Sequence, residues 1–163
     1  MFKKVVAPFL ICASLAGFSM QANAATPASG FGAASSSSSL LSSRTLYWSC
    51  GASTSSSKGF TGWISGTIST YSDGRKVVSI PKVLIAKHGG QQGGSKANFE
   101  MHLTGYGFTH ASVYSYDNMK QNSTWNNVNM TLTSYSSMVN NVNVKFTFDK
   151  SGSDPSCRQN HAF

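Results

Sequence analysis

The sequence predicts an all-β fold, either an antiparallel β-sandwich or a small barrel, with about seven strands. Apolar and polar residues alternate along several short segments, turn-forming residues separate those segments, and none of them shows helical periodicity. Alternation with a period of two places one set of side chains in a core and the other set in solvent. This pattern is typical of antiparallel sheets.

Residues 1–24 have the organisation of a secretory signal peptide. Two lysines at positions 3 and 4 precede a mostly apolar segment over 5–17, and Ala22-Asn23-Ala24 supplies the small residues of a signal-peptidase site. We therefore expect a secreted or periplasmic bacterial protein whose signal peptide is cleaved after Ala24.

Residues 25–44 predict a flexible linker that leads into a single β domain over 45–163. The linker is rich in serine, including an unbroken run over 35–39, and has few apolar side chains. Such a stretch cannot bury enough apolar surface to offset the entropy lost on ordering. The remaining chain is long enough for one domain with its own core.

The domain divides into short segments that we interpret as strands of one antiparallel fold. Their number and spacing are similar, at the level of fold alone, to immunoglobulin-like and fibronectin-like sandwiches. Alternation is cleanest where Phe99, Met101 and Leu103 are expected to face the core, with Glu100 and His102 facing solvent. The predicted strands cover 46–50, 60–71, 76–85, 98–104, 109–117, 127–133 and 141–148.

Two features predict how the second and third strands are connected and where the third one lies. Asp73-Gly74 predicts a two-residue hairpin turn, because both residues tolerate the positive φ values of such turns. Pro81 cannot donate a ladder hydrogen bond, so we expect an edge strand or a bulge at this position. An exposed edge near Pro81 would allow a strand-exchanged dimer as well as a monomer.

The predicted mature chain contains two cysteines, Cys50 and Cys157, because the third cysteine lies in the signal peptide. Two cysteines in an exported protein favour one disulfide bond, with two free thiols as the alternative. Closing a loop of roughly a hundred residues would stabilise the fold by about 4–5 kcal/mol. The bond would connect the first strand to the C-terminal tail.

Basic residues outnumber acidic residues. The formal net charge is +8, from 13 lysines and arginines against five acids, so attraction to anionic surfaces is expected. The expected partner is a cell-envelope or host-surface ligand such as an acidic glycan; peripheral membrane contact is also compatible, and no nucleic-acid module is recognised. Aromatic side chains could stack on sugars or could instead form core or cross-strand pairs. The candidate binding residues are Trp63, Arg75, Lys76, Tyr114, Tyr116 and Trp125.

Glu100 and His102 are candidates for acid–base chemistry, because residues two apart on a strand point to the same face. With His110 or His88 nearby they could form a general acid–base pair, as in secreted nucleases, or they could be ordinary outward-facing polar residues. The histidines lack metal-ligand spacing, and the chain lacks a nucleophile elbow and a phosphate-binding loop. We therefore expect no cofactor and no metal.

Three classes of function are compatible with the sequence. The first is a non-enzymatic binding protein that recognises an anionic or glycan-bearing surface through its loops and a basic, aromatic face. The second is a secreted antibacterial or membrane-active effector. The third is a small hydrolase that uses Glu100 and histidines. We prefer the first, because the chain contains no complete catalytic motif.

Overall fold

A computed structural model describes residues 37–163, which form eight strands and no helix. The strands are β1 (Leu40–Ser53), β2 (Gly59–Tyr71), β3 (Lys76–His88), β4 (Ala97–Gly105), β5 (Phe108–Met119), β6 (Trp125–Ser134), β7 (Asn141–Thr147) and β8 (Ser156–Ala162). They form two antiparallel sheets, sheet A with the order β1-β2-β3-β6 and sheet B with the order β5-β4-β7-β8. The predicted β-sandwich is confirmed.

The strand β8 has no counterpart among the predicted strands. It pairs with β7 and lies at the edge of sheet B. Its side chains are exposed except for Cys157 and His161, which are partly buried. A short edge strand with so few apolar residues shows no alternation, and its sequence therefore carries little strand signal.

The first strand begins at Leu40, six residues before the predicted start at Leu46, and so lies partly in the predicted linker. The backbone of Leu40–Arg44 pairs with the end of β2, although every side chain in this stretch is exposed. Ladder hydrogen bonds rather than apolar burial hold these residues, and a hydropathy pattern does not report such bonds. The predicted signal peptide and the linker residues 25–36 lie outside the described residues.

The core lies between the two sheets, and the predicted alternation is confirmed. Phe99, Met101 and Leu103 on β4 are fully buried, while Glu100 and His102 between them lie on the outer face. Burying one such apolar side chain contributes about 1.5–3 kcal/mol, so this layer is a main source of stability. The same alternation buries Val142, Val144, Phe146 and Phe148 along and just after β7.

The hairpin between β2 and β3 differs from the predicted two-residue turn. The Gly74 amide donates to the carbonyl oxygen of Tyr71 at 3.0 Å, and the Tyr71 amide donates to the carbonyl oxygen of Arg75 at 2.9 Å. The loop therefore has three residues, from Ser72 to Gly74. Only Gly74 has a positive φ, of 81°, whereas Asp73 accepts a hydrogen bond from the Arg75 amide.

Pro81 lies in β3, an inner strand of sheet A, so it is not at an edge and leaves no exposed edge for strand exchange there. The pairing register instead shows the predicted bulge: pairing with β6 shifts between Ile80 and Lys82, and pairing with β2 also shifts nearby. Asn129 on β6 has a φ of 46°, a conformation that asparagine tolerates better than most residues. The missing amide hydrogen of Pro81 is thus accommodated where the ladder is already interrupted.

Side chains close the gap between the edge strands β1 and β8, a line of contacts here called the β1–β8 seam. Cys50 and Cys157 form a disulfide bond across it, with their Cα atoms 5.8 Å apart. The predicted bond is therefore confirmed, and the C-terminal tail that it reaches is the strand β8.

An aromatic contact continues the seam. Trp48 stacks on His161 with the ring centroids 4.6 Å apart, and Arg44 donates a hydrogen bond to the carbonyl oxygen of Ala162. Burial, and then the charge of Arg44, lower the pKa of His161. The stacked imidazole is therefore neutral at neutral pH.

The loops lie at two opposite ends of the sandwich. One end, here called the lysine end, has the loops 54–58, 89–96, 120–124 and 148–155. The other, here called the hairpin end, has the loops 72–75, 106–107 and 135–140. The lysine end takes its name from five lysines. Lys87 is the second-last residue of β3, and the others lie in the loops: Lys58, Lys96, Lys120 and Lys150.

Candidate functional site

The predicted binding residues occupy three separate surfaces rather than one basic aromatic face. Trp63 and Trp125 lie on the outer face of sheet A, towards the lysine end. Arg75 and Lys76 lie at the hairpin end; Lys76 is eight residues from Leu84 along β3, which corresponds to roughly 26 Å. The remaining pair, Tyr114 and Tyr116, lies on β5 in sheet B.

The two tryptophans form one row across three neighbouring strands. Trp63 pairs with Leu84, and Leu84 pairs with Trp125. The backbones of the two tryptophans are therefore two inter-strand spacings apart, about 10 Å. Trp125 is 37% exposed, and Lys82 Nζ lies 5.0 Å from the centre of its ring. This surface, made of Trp63, Lys82, Leu84 and Trp125, is here called the tryptophan face.

A depression of about 410 Å³ adjoins the tryptophan face at the lysine end. His88 links the two surfaces: its Nε2 lies 2.8 Å from Thr61 Oγ1, and its ring lies edge-on to Trp63 with the centroids 6.4 Å apart. The depression, here called the serine pocket, is lined by Gly51, Ala52, Ser53, Ser55, Ser56, Ser57, Lys58, Gly59, Phe60, Thr61 and His88. Its wall offers hydroxyls, an imidazole and an ammonium group, which can donate to and accept from the hydroxyls of a ligand.

Glycine shapes the wall of the serine pocket. A Cβ added at Gly89 would overlap the carbonyl oxygen of Ser57, and Gly89 has a φ of 62°. Any other residue there would clash with the loop and would also strain the backbone. The glycine-rich loop 89–96 therefore packs closely against the loop 54–58, which carries serines of the pocket wall.

The lysine end carries an excess of positive charge, because its five lysines outnumber the carboxylates of Asp117, Asp149 and Asp154. Among the described residues, none of its lysines forms an ion pair with a carboxylate. The carboxylates at this end are partly engaged by backbone amides: Asp149 accepts from the Lys96 amide at 2.9 Å, and Asp154 accepts from the Lys150 amide at 3.0 Å. The serine pocket and the tryptophan face thus lie in a positive field.

Glu100 and His102, the candidates for acid–base chemistry, lie together on the outer face of sheet B. Lys145 Nζ is 2.9 Å from one carboxylate oxygen of Glu100, and His102 Nε2 is 3.4 Å from the other. The second nitrogen of His102 lies 2.8 Å from Ser112 Oγ. Burial would raise the pKa of Glu100, but the hydrogen bonds and charges of Lys145 and His102 outweigh it, so the pKa lies below its ordinary 4.5.

This arrangement favours the interpretation of Glu100 as a structural ion-pair residue. His88 lies on sheet A, and no hydrogen bond or ion pair joins His110 to Glu100 or to His102 within the described chain. A carboxylate whose pKa is lowered by the Lys145 ammonium and by hydrogen bonds is poorly suited to donate a proton near neutral pH. The structure therefore brings neither His88 nor His110 into a hydrogen bond with Glu100.

Glu100→Gln is expected to lower the free energy of unfolding by roughly 1 kcal/mol at neutral pH, because the ion pair with Lys145 is lost. A carboxyl whose folded-state pKa is depressed contributes stability above its unfolded pKa and loses that stability as the pH falls through the folded value. The difference from wild type should therefore disappear well below pH 4.5. Urea unfolding of wild type and variant from neutral to acidic pH measures this difference in unfolding free energy. A difference that stays constant with pH would contradict the ion-pair assignment.

The other predicted residues are engaged within the protein. Tyr114 and Tyr116 stack with their ring centroids 5.3 Å apart, and Tyr114 also meets His102 edge-on. Arg75 lies 4.0 Å from the Tyr71 ring centroid, and Lys76 donates to a backbone carbonyl and lies over Phe163. These contacts correspond to the alternative interpretation of the aromatic residues as packing pairs.

The comparisons with known proteins leave the site to be argued from its own residues. No protein-family model matches the chain, and comparison with curated proteins and with solved structures finds no significant match. Within residues 37–163, no three histidine, cysteine or acidic side chains lie together as metal ligands would. That part of the chain also contains no helix that is long and apolar enough to span a membrane.

Proposed function

We propose that this protein is a non-catalytic binding protein that holds an acidic glycan in the serine pocket and against the tryptophan face. The observation that carries the proposal is the row of two outward-facing tryptophans beside a hydroxyl-lined depression. The glycan would belong to a cell envelope or a host surface, which is the setting that the secretory pattern of residues 1–24 suggests.

Stacking supports a carbohydrate ligand. An indole ring offers a broad apolar surface with a polar edge, and a sugar ring offers apolar C–H groups surrounded by hydroxyls. Trp63 and Trp125 present such surfaces in one row, while the serine pocket supplies groups for hydrogen bonds to hydroxyls. Ligand sites in general combine apolar walls with a few placed polar groups.

The distribution of charge supports an acidic ligand. Lys58 lies in the wall of the serine pocket, and Lys82 lies beside Trp125 on the tryptophan face. Neither forms an ion pair with a carboxylate among the described residues. A carboxylate or sulfate on the sugar would therefore meet an available ammonium group on either surface.

The test is to screen the protein on an array of acidic and neutral oligosaccharides and to measure the best acidic one by titration calorimetry. Wild type is expected to bind it at moderate salt, and Trp63→Ala is expected to raise the Kd by about tenfold or more through lost stacking. Tyr116→Ala is the matched control, because it removes an exposed aromatic ring from the opposite sheet.

Two results would overturn the proposal. One is an equal Kd for Trp63→Ala and Tyr116→Ala. The other is binding by wild type that disappears at moderate salt. Salt screens the general attraction between charges, whereas binding at a specific site should persist.

A further inference from the structure

The connections β4–β5 and β6–β7 at the hairpin end expose four large apolar side chains between them. Tyr106 is 76% exposed, Phe108 is 71%, Tyr135 is 69% and Met138 is 56%. Tyr106 lies in the turn between β4 and β5, Phe108 is the first residue after that turn, and the other two lie in the loop between β6 and β7. This group of four is here called the aromatic tip.

Backbone contacts hold the two loops of the aromatic tip together. A Cβ added at Gly105 would overlap the carbonyl oxygen of Met138, so the two backbones approach closely at this point. The Asn140 amide also donates to the carbonyl oxygen of Thr104 at 3.1 Å. The four side chains therefore project from one connected surface rather than from two independent loops.

The turn at the aromatic tip places a tyrosine where folding alone favours a different residue. Tyr106 and Gly107 are the two central residues between the paired positions Gly105 and Phe108, and their φ values are 50° and 82°. Two-residue hairpins with positive φ at both positions favour asparagine followed by glycine. The bulky Tyr106 side chain has no packing that would offset this cost, because most of it is in solvent.

Two basic residues, Arg75 and Lys76, lie at the base of the aromatic tip. Lys76 Nζ donates to the carbonyl oxygen of Val139, the residue after Met138. Within residues 37–163, Asp73 is the carboxylate that lies at the hairpin end, and it is ion-paired to Arg75 at 3.7 Å. Arg75 and Lys76 together outweigh the single charge of Asp73, so the base of the tip has an excess of positive charge that would attract an anionic partner.

We propose that the aromatic tip docks into the interfacial region of an anionic lipid bilayer. Tyrosine rings favour the level of the lipid headgroups, where one side is apolar and the other is wet, and Phe108 and Met138 would reach the acyl boundary. Lys76 keeps its hydrogen bond to Val139 beside the tip, and its charge would add to the attraction of the tip for anionic headgroups. More than half of each of the four side chains is exposed, so they project from the surface, which suits insertion into a soft bilayer better than the binding of a peptide in a groove.

The docking is tested by flotation of the purified protein with vesicles of phosphatidylcholine, with and without phosphatidylglycerol. Wild type should float with the phosphatidylglycerol vesicles, and the double variant Tyr106→Asn, Phe108→Ser should bind them more weakly by about tenfold or more. Tyr116→Ala is the control, because it removes an equally exposed ring away from the tip. Any contribution of residues 1–36 is common to all of these proteins.

Stability measurements separate lost docking from lost folding. Tyr106→Asn alone should keep or raise the melting temperature, because asparagine suits the positive φ, and yet it should weaken vesicle binding. Equal flotation of wild type and the double variant would overturn the proposal, as would the absence of wild-type flotation. A concentration-dependent dimer that is lost in the double variant, without vesicle binding, would also overturn it and would assign the tip to association between copies.

A fluorescence readout keeps this proposal independent of the proposed glycan site. The three tryptophans of the chain, Trp48, Trp63 and Trp125, all lie outside the aromatic tip. Phe108→Trp should therefore add an emission component that shifts to the blue with phosphatidylglycerol vesicles, while the calorimetric Kd for the acidic oligosaccharide stays unchanged. An unshifted spectrum with bound vesicles would show that another surface makes the contact.

Discussion

Val144→Asp is expected to unfold the domain at room temperature. Val144 is fully buried in β7, an inner strand of sheet B, and its ladder partner on β4 is the core residue Met101. An unpaired carboxylate at that position costs several kcal/mol beyond the lost apolar burial, about as much as the 5–15 kcal/mol that keeps a typical domain folded. Circular dichroism and urea unfolding measure the effect.

Asn160→Asp is the matched control for this substitution. Asn160 is exposed on β8, and its Oδ1 accepts a hydrogen bond from Asn143 Nδ2 at 2.8 Å, which an aspartate oxygen can also accept. The same introduced charge should therefore change the free energy of unfolding by less than about 0.5 kcal/mol. Similar losses in both variants would show that the assigned inward and outward faces are wrong.

The double variant Cys50→Ser, Cys157→Ser is expected to lose about 4–5 kcal/mol of stability and to melt roughly 10–20 °C lower than wild type. The disulfide bond closes a loop with a sequence separation of 107, and removing it restores that entropy to the unfolded chain. Thermal unfolding of the oxidised wild type and of the variant gives the difference.

Reduction supplies the control for the disulfide prediction. A reducing agent should bring the melting temperature of wild type down to that of the double variant and should leave the variant unchanged. The intact mass of the oxidised protein should be about 2 Da below that of the reduced protein, as one bond requires. Coincident unfolding curves for oxidised wild type and the variant would show that the bond adds no stability.

The sequence predicted the sandwich because burial in this fold follows from alternation. Phe99, Met101 and Leu103 face the core as expected, since a strand with one wet face must repeat every two residues. Leu40–Arg44 and β8 escaped prediction, because backbone pairing at an edge holds them and no apolar face marks them. The sequence left the position of Pro81 open between an edge strand and a bulge. Both accommodate a residue that has no amide hydrogen to donate to the ladder.

The candidate site was predictable only in part. The sequence identifies Trp63 and Trp125 as candidate binding residues, but their shared row depends on a register across β3 that no local pattern encodes. The serine pocket was missed, because its wall joins one loop to the end of another strand. A serine run next to strand aromatics and a glycine-rich loop is the signal that could have indicated it.

The disulfide bond also determines how the protein responds to mechanical load. Cys50 lies in the first strand and Cys157 in the last, so the bond joins the two ends of the sandwich sequence covalently. Tension applied to the chain outside the bond passes through the sulfur–sulfur link instead of through the strands between. Pulling can then extend the residues before Cys50 and after Cys157, which include the core residue Leu46, but the chain between the two cysteines cannot be extended.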